Sequence, residues 1–211
     1  MNLFDVLSTG DKSSATRISG VVVGVVTNNQ DPAGLGRVKV KFPWLSDSEE
    51  SFWARVAMPS AGKGRGFFFL PEVEDEVLIA FEHGDARFPY VVGALWNGQD
   101  KPPDDGAVLD RRVMKSTTGH AVVLDDTKDA EKIEIIDKSG KNTIVIDTAK
   151  NTITITSDKD ITLSASKGTI KLEAKQVEIK TAAEIAIEAG AGMDLKATGT
   201  MNVKGSMVRI N

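Results

Sequence analysis

Two hydrophobic patterns divide this chain. Between residues 17 and 98 the apolar positions come in short β-branched runs broken by Gly, Pro, Asn and Asp, which predicts strands joined by turns. Five strands are predicted, over residues 18–26, 36–42, 52–58, 76–82 and 90–96, with Gly20 and Gly24 as bend positions in the first. Residues 37–42 and 52–58 alternate between apolar and polar side chains, so each strand has one wet face. Five short strands in about 80 residues predict a small closed antiparallel barrel, and the five-stranded version of that architecture is the OB fold.

From residue 131 onward the pattern becomes a repeat. Apolar residues two apart recur as Ile133/Ile135, Ile144/Ile146, Ile153/Ile155, Ile161/Leu163, Ile170/Leu172, Val177/Ile179, Ile185/Ile187, Met193/Leu195, Met201/Val203 and Val208/Ile210. First members are 7 to 11 residues apart, which marks a stack of short strands. Each strand offers about two medium-sized apolar side chains to a core. A single-chain β-helix with three strands per turn would reach barely three turns and leave both ends open. Three chains wound into a triangular prism remove that difficulty, and ten strands at about 4.8 Å each would make a needle of roughly 45–50 Å. An antiparallel meander also fits the alternation.

Composition sharpens the division. All twelve aromatic residues lie between Phe4 and Trp96, and the last 115 residues have none. A core shared by three narrow strands has no room for a ring. Residues 1–110 carry 10 Lys and Arg against 16 Asp and Glu, whereas residues 111–211 carry 16 against 14. The chain lacks cysteine, which excludes disulfides, thiolate metal sites and cysteine nucleophiles. No apolar run approaches the ~20 residues of a membrane-spanning helix. Residues 1–17 hold Asp5 and Asp11 and no secretory pattern, so assembly in the cytoplasm is expected.

Candidate chemistry is sparse. His83 and His120 have no partner at metal-ligand spacing, and no Gly-x-Ser-x-Gly elbow occurs. Residues 61–66 (Ala-Gly-Lys-Gly-Arg-Gly) lack the spacing of a phosphate loop and read as a tight turn before Phe67, Phe68 and Phe69. The acidic run Glu72, Glu74, Asp75 and Glu76 has no opposed carboxylate for glycoside hydrolysis. Arg37, Lys39, Lys41, Phe42 and Trp44 could line a single-strand groove, but the acidic balance of the domain opposes it.

The ordered motifs carry a resemblance. Asp31-Pro32-Ala33-Gly34-Leu35-Gly36-Arg37-Val38-Lys39-Val40-Lys41-Phe42-Pro43-Trp44, then Trp53-Ala54-Arg55-Val56, Ala61-Gly62, Pro71-Glu72-Val73-Glu74-Asp75-Glu76-Val77 and His83-Gly84-Asp85 resemble the OB domain of VgrG and phage baseplate assembly protein V. Pro89 and the run from Val92 to Asn97 continue the match. One departure is Glu74, where the family pattern favours Gly; a positive φ there would strain the glutamate. The resemblance implies an all-β homotrimer, an OB barrel followed by an intertwined triple-stranded β-helix. It implies an N-terminal segment over 1–16, the OB domain over 17–98, a linker over 99–118 and the spike over 119–211.

The expected trimer core is Ile133, Ile135, Ile144, Ile146, Ile153, Ile155, Ile161, Leu163, Ile170, Leu172, Val177, Ile179, Ile185, Ile187, Met193, Leu195, Met201 and Val203. The resemblance further implies a non-enzymatic central spike of a contractile injection system, such as a phage tail, a tailocin or a type VI-like apparatus. It would dock on a hub by its barrel and meet the target envelope during injection. A PAAR-type tip protein would cover Met207, Val208, Ile210 and Asn211. Some phage spikes of this kind end in a metal-binding His-x-His tip; residues 205–211 contain no His, so no cofactor or metal is expected. Two other readings remain open at this point: a single-stranded nucleic-acid-binding OB protein and a β-helical polysaccharide-active enzyme.

Overall fold

The computed structural model describes residues 17–103 and 109–210; the expected N-terminal segment, 1–16, lies outside them. The architecture is all-β. The strands β1 (Val21–Asn28), β2 (Arg37–Phe42), β4 (Ala54–Val56), β7 (Glu76–Phe81) and β8 (Pro89–Leu95) close on themselves in the order β1-β7-β8-β4-β2-β1, with β4 and β8 parallel and the other pairs antiparallel. This is the five-stranded OB barrel expected from the alternation. Strand β3 (Ser46–Glu50) extends the sheet from β2, and a short hairpin, β5 (Ala61–Gly62) and β6 (Arg65–Gly66), fills the stretch read as a tight turn.

The barrel core follows the pattern of the strands. Val38, Val40 and Phe42 of β2 and Val77, Ile79 and Phe81 of β7 alternate inward and meet Val26, Ala54, Ala86 and Val91. Each such Val, Ile or Phe side chain contributes about 1.5–3 kcal/mol when fully buried. Phe42 packs 5.8 Å from the Phe81 ring. Gly24 sits where β1 passes from pairing with β7 to pairing with β2. A Cβ there would lie 3.2 Å from the Lys41 carbonyl and 3.5 Å from both Phe42 and Ile79, so the crossing of three strands needs the bare backbone.

The Asp-Pro-Ala-Gly-Leu-Gly-Arg motif has a structural meaning. The Asp31 carboxylate accepts the backbone N–H groups of Ala33 and Leu35 and grips the Arg37 guanidinium at 2.7 and 2.9 Å. Those bonds hold its carboxyl well below the usual carboxylate range, the Arg37 contact most of all.

Glu74 has φ 77, so it does adopt the left-handed conformation. The turn holds it there through its neighbours: Glu74 N–H donates to the Val26 carbonyl at 2.8 Å, Val26 N–H to the Asp75 carbonyl at 2.9 Å, and Glu72 N–H to the Asp75 carboxylate at 2.8 Å. Its side chain returns only a loose, exposed approach to Lys41 at 3.9 Å. Relief of the positive-φ penalty should outweigh that loss and the added chain entropy of glycine. Glu74→Gly is therefore predicted to raise the urea midpoint of the barrel, by about 0.5–1 kcal/mol in stability. A lowered midpoint would contradict this account of the turn.

A second sheet begins at Arg111, inside the 99–118 stretch expected as a linker. It is a five-stranded antiparallel meander of β9 (Arg111–Lys115), β10 (Ala121–Asp125), β11 (Lys132–Ile136), β12 (Thr143–Asp147) and β13 (Thr152–Thr156), each strand beside the next. Over residues 111–156, then, the meander alternative is the one realised within a chain. Residues 161–210 form a separate unit. No strand pairing occurs there among the described residues; stretches without regular secondary structure are separated by turns and bends at 166–168, 175, 182–183, 190–191, 198–199 and 206–207. Each bend falls between two of the apolar pairs.

Candidate assembly interface

The meander sorts its residues into two unlike faces. On one face the register builds two ladders across all five strands: Met114, Val122, Ile135, Ile144 and Ile155 in one, and Arg112, Leu124, Ile133, Ile146 and Ile153 in the other. The six isoleucines expected in a shared core are thus brought together on a single surface. Met114, Val122 and Leu124 join them from strands that the eight-residue repeat did not reach. Met114 fell inside the stretch expected as a linker, 99–118, and Val122 and Leu124 lie in the continuous apolar run of residues 121–124, at the start of the expected spike and before the repeat.

That face is bare. Met114, Leu124 and the six isoleucines are between 40 and 71% exposed, from Ile133, Ile144 and Ile146 at 40% to Ile153 at 71%, while Val122 is half-buried. The opposite face carries the charges, and there the carboxylates are the more covered groups: Asp125, Glu134 and Asp147 expose only 11, 15 and 16% of their side chains. One of its ladders, Arg111, Asp125, Lys132 and Asp147, alternates in charge from strand to strand. Opposite charges directly across an antiparallel pair stabilise the register. This face is not purely wet, since Val113, Val123 and Val145 share a ladder with Glu134.

Three hairpin turns are tied by aspartates. The Asp125 carboxyl is lowered by hydrogen bonds from the Thr127 hydroxyl and backbone and by Arg111 and Lys132. Asp147 is lowered mainly by Lys150, 2.9 Å away. Asp137 accepts the Ser139 hydroxyl at 2.7 Å and Asn142 through both its backbone and side-chain N–H, which brings it to about 2. Asp129 and Asn151 take the left-handed positions that these turns need, at φ 63 and 53.

In residues 161–210 the expected core residues Ile161, Leu163, Ile170, Leu172, Val177, Ile179, Ile185, Ile187, Met193, Leu195, Met201 and Val203 are all about half exposed or more. Charged residues interleave them in the sequence, and Lys171 pairs with Glu173 and Glu178 with Lys180. Met207, Val208 and Ile210, the expected tip contacts, are likewise open; Asn211 lies outside the described residues.

The basic strand of the barrel is occupied. Arg37 is held by Asp31, Lys39 donates to Glu50 at 2.9 Å, and both cations lie 5.7 Å from the Trp53 ring. Glu72 accepts the Asn29 side-chain amide and the Thr117 hydroxyl, and Asp75 caps the turn by accepting the Glu72 N–H. His83 is in a 3₁₀ turn over Glu82–Gly84. His120 accepts the Lys138 N–H at Nδ1, 3.3 Å away. Among the described residues no cluster of metal-ligating side chains occurs, and no helix is long and apolar enough to cross a membrane. Phe68, Phe69 and Trp96 of the barrel line a cleft of ≈ 1150 Å³ whose other wall is Met114, Val122, Ile135, Ile144 and Ile155.

The described residues thus hold a closed OB barrel joined to a sheet with an open aliphatic face. Residues 22–96 match the family described as the type VI secretion system/phage-baseplate injector OB domain. The type VI secretion system spike protein VgrG5 of Pseudomonas aeruginosa is 38% identical over 98 residues, covering 41% of this chain and 12% of that protein. VgrG1a of the same organism is 28% identical over 123 residues, 52% of this chain and 19% of that protein. The actin cross-linking toxin VgrG1 of Vibrio cholerae is 35% identical over 72 residues, 32% of this chain and 7% of that protein. The matched stretches thus span less than a fifth of these relatives, and the resemblance to VgrG and baseplate proteins read from the motifs holds.

The Asp137 turn carries a pH signature. Its folded pKa is depressed below the unfolded value of about 3.9, so its contribution is present above that value and lost as the pH falls through about 2. Amide exchange at Asn142 is predicted to stay slow at pH 4 and to accelerate near pH 2, relative to intrinsic exchange. In Asp137→Asn that transition should vanish; an unchanged profile would refute the role of the carboxylate.

Proposed function

We propose that this chain is a structural, membrane-piercing central spike of a contractile injection system, acting as a homotrimer. The observation that carries the reading is the pairing of an injector-type OB domain with ladders of aliphatic side chains that one chain leaves open. In the trimer the apolar pairs of residues 161–203 face a common axis, and each extended step bonds to neighbouring chains. The Lys and Glu residues between them face solvent. The supports are the step length near eight residues, the absence of aromatics after Trp96, and the alternation of charge with each pair.

The mechanism is mechanical. Contraction of a sheath would drive the spike through a target envelope, and intertwined backbone pairing resists shear because no chain unravels alone. The barrel docks on a hub or baseplate ring, and Met207, Val208, Ile210 and Asn211 receive a PAAR-type tip. The chain would assemble in the cytoplasm and then belong to a phage-tail-like particle.

A single-stranded nucleic-acid binder is disfavoured, because Arg37 and Lys39 are engaged by Asp31 and Glu50. A polysaccharide-active enzyme is disfavoured too, because Asp125, Asp137 and Asp147 of the meander and Asp75 of the barrel are spent on turns. Light scattering tests the spike reading. The expected solution mass is three times the chain mass of 22.6 kDa, whereas a stable monomer would refute it.

A further inference from the structure

We infer that the turn at Asn97 and Gly98 is a self-modifying site, where the chain converts its own asparagine through a succinimide to aspartate and isoaspartate. The inference stands apart from the spike reading, since it needs only the barrel and the turn that leaves it.

Such a conversion requires an unhindered backbone nitrogen after the asparagine and a polarised side-chain carbonyl. Asn97 is the one asparagine of the sequence that precedes a glycine. A Cβ added at Gly98 would meet nothing within 4 Å, so no neighbour crowds the ring that must close there. The Asn97 Oδ1 accepts the Gln99 N–H at 2.8 Å and the Asp100 N–H at 2.7 Å. Two backbone donors on one carbonyl oxygen form the arrangement that stabilises an oxyanion during attack on carbon. Asn97 Nδ2 donates to the Asp100 carboxylate at 3.4 Å, which orients the amide with its oxygen, and not its nitrogen, toward the two N–H groups. The backbone closes the turn around them, with Asn97 N–H donating to the Asp100 carbonyl at 2.9 Å.

The steps balance with water alone. Hydroxide takes the Gly98 amide proton, and the nitrogen attacks Asn97 Cγ. Negative charge falls on Oδ1, between the Gln99 and Asp100 donors. The Cγ–Nδ2 bond then breaks, and the nitrogen leaves as ammonia with a proton from water, which restores the hydroxide. Water opens the succinimide at one of two bonds. Cleavage between Cγ and the Gly98 nitrogen gives aspartate, whereas cleavage at the backbone carbonyl gives isoaspartate and adds a methylene to the main chain. Other asparagines lack this combination. Asn142, Asn151 and Asn202 precede the β-branched Thr143, Thr152 and Val203, and the Asn28 Oδ1 accepts the Gln30 N–H and precedes Asn29.

The product changes the exit from the barrel. β8 ends at Leu95, and the cleft beside the turn is lined by Lys41, Glu74, Glu76 and Asp100. Among the described residues Lys41 is the one cation of that lining. A new carboxylate at position 97 therefore joins an acidic wall, and like charges repel. Isoaspartate also lengthens the turn, so its closing bond to Asp100 is lost.

Ageing of the full chain in mildly alkaline buffer tests this, with a parallel sample held unfolded in urea. Peptide mass mapping follows the exchange of amide for acid at each asparagine, and an isoaspartyl methyltransferase labels the isoaspartate. In the folded protein Asn97 is expected to convert about tenfold faster than in urea, and faster than Asn142, Asn151 and Asn202. Conversion in the folded protein at or below the urea rate would show that the turn shields Asn97, and would overturn the inference. Gln99→Pro removes one of the two donors and is expected to bring folded-state conversion down toward the urea rate. Undiminished conversion in that variant would overturn the role of the donors; should the variant disturb the turn, the wild-type comparison with urea decides alone.

Discussion

The backbone's demand for hydrogen-bond partners governs this chain. In the barrel and the meander, strands meet that demand internally, by closure in one case and by successive hairpins in the other. In residues 161–210 the one backbone bond among the described residues runs from Gly168 N–H to the Ala165 carbonyl, at 3.3 Å. An extended chain with its amides open and two aliphatic side chains per step is stable only when other strands supply both the acceptors and the apolar cover. The trimer proposed above is the arrangement in which identical copies do so.

Charge works within that scheme as a register device. The ladder of Arg111, Asp125, Lys132 and Asp147 alternates in sign, and the aspartates that end strands double as turn anchors. In the barrel, Asp31 turns a flexible loop into a fixed entry to β2 and at the same time takes up Arg37. The basic residues that looked like a nucleic-acid groove are thus part of the scaffold. Exposed pairs such as Lys171 with Glu173 add little stability and mainly keep that face in water.

Much of this was legible in the residues, and the gaps have physical causes. The barrel strands were readable because alternation and turn residues report the same boundaries. Strand β3 was missed because Ser-Asp-Ser-Glu-Glu has no apolar member to betray an edge strand. The positive φ at Glu74 was legible only through a departure from a family motif, since glutamate itself has no preference for that conformation. The repeat correctly located the isoleucine pairs but could not separate strands that pair in-chain from strands that do not. Alternation is identical in both cases, and the difference lies in the turns, where Asp and Asn give way to Ala, Gly, Ser and Thr after residue 160. Strands β9 and β10 fell outside the repeat because β9 sets Arg112 beside Met114 and β10 is a continuous apolar run, so neither shows an isolated pair of apolar residues two apart.

The central claim is that the amides of residues 161–210 find their partners on other copies of the same chain. Equilibrium hydrogen exchange on the intact protein measures this directly, step by step along the segment. The account predicts strong protection at the extended steps between the bends, lost when the protein is diluted or denatured to the monomer. Exchange at unprotected rates throughout residues 161–210, in a sample whose barrel amides remain protected, would contradict it.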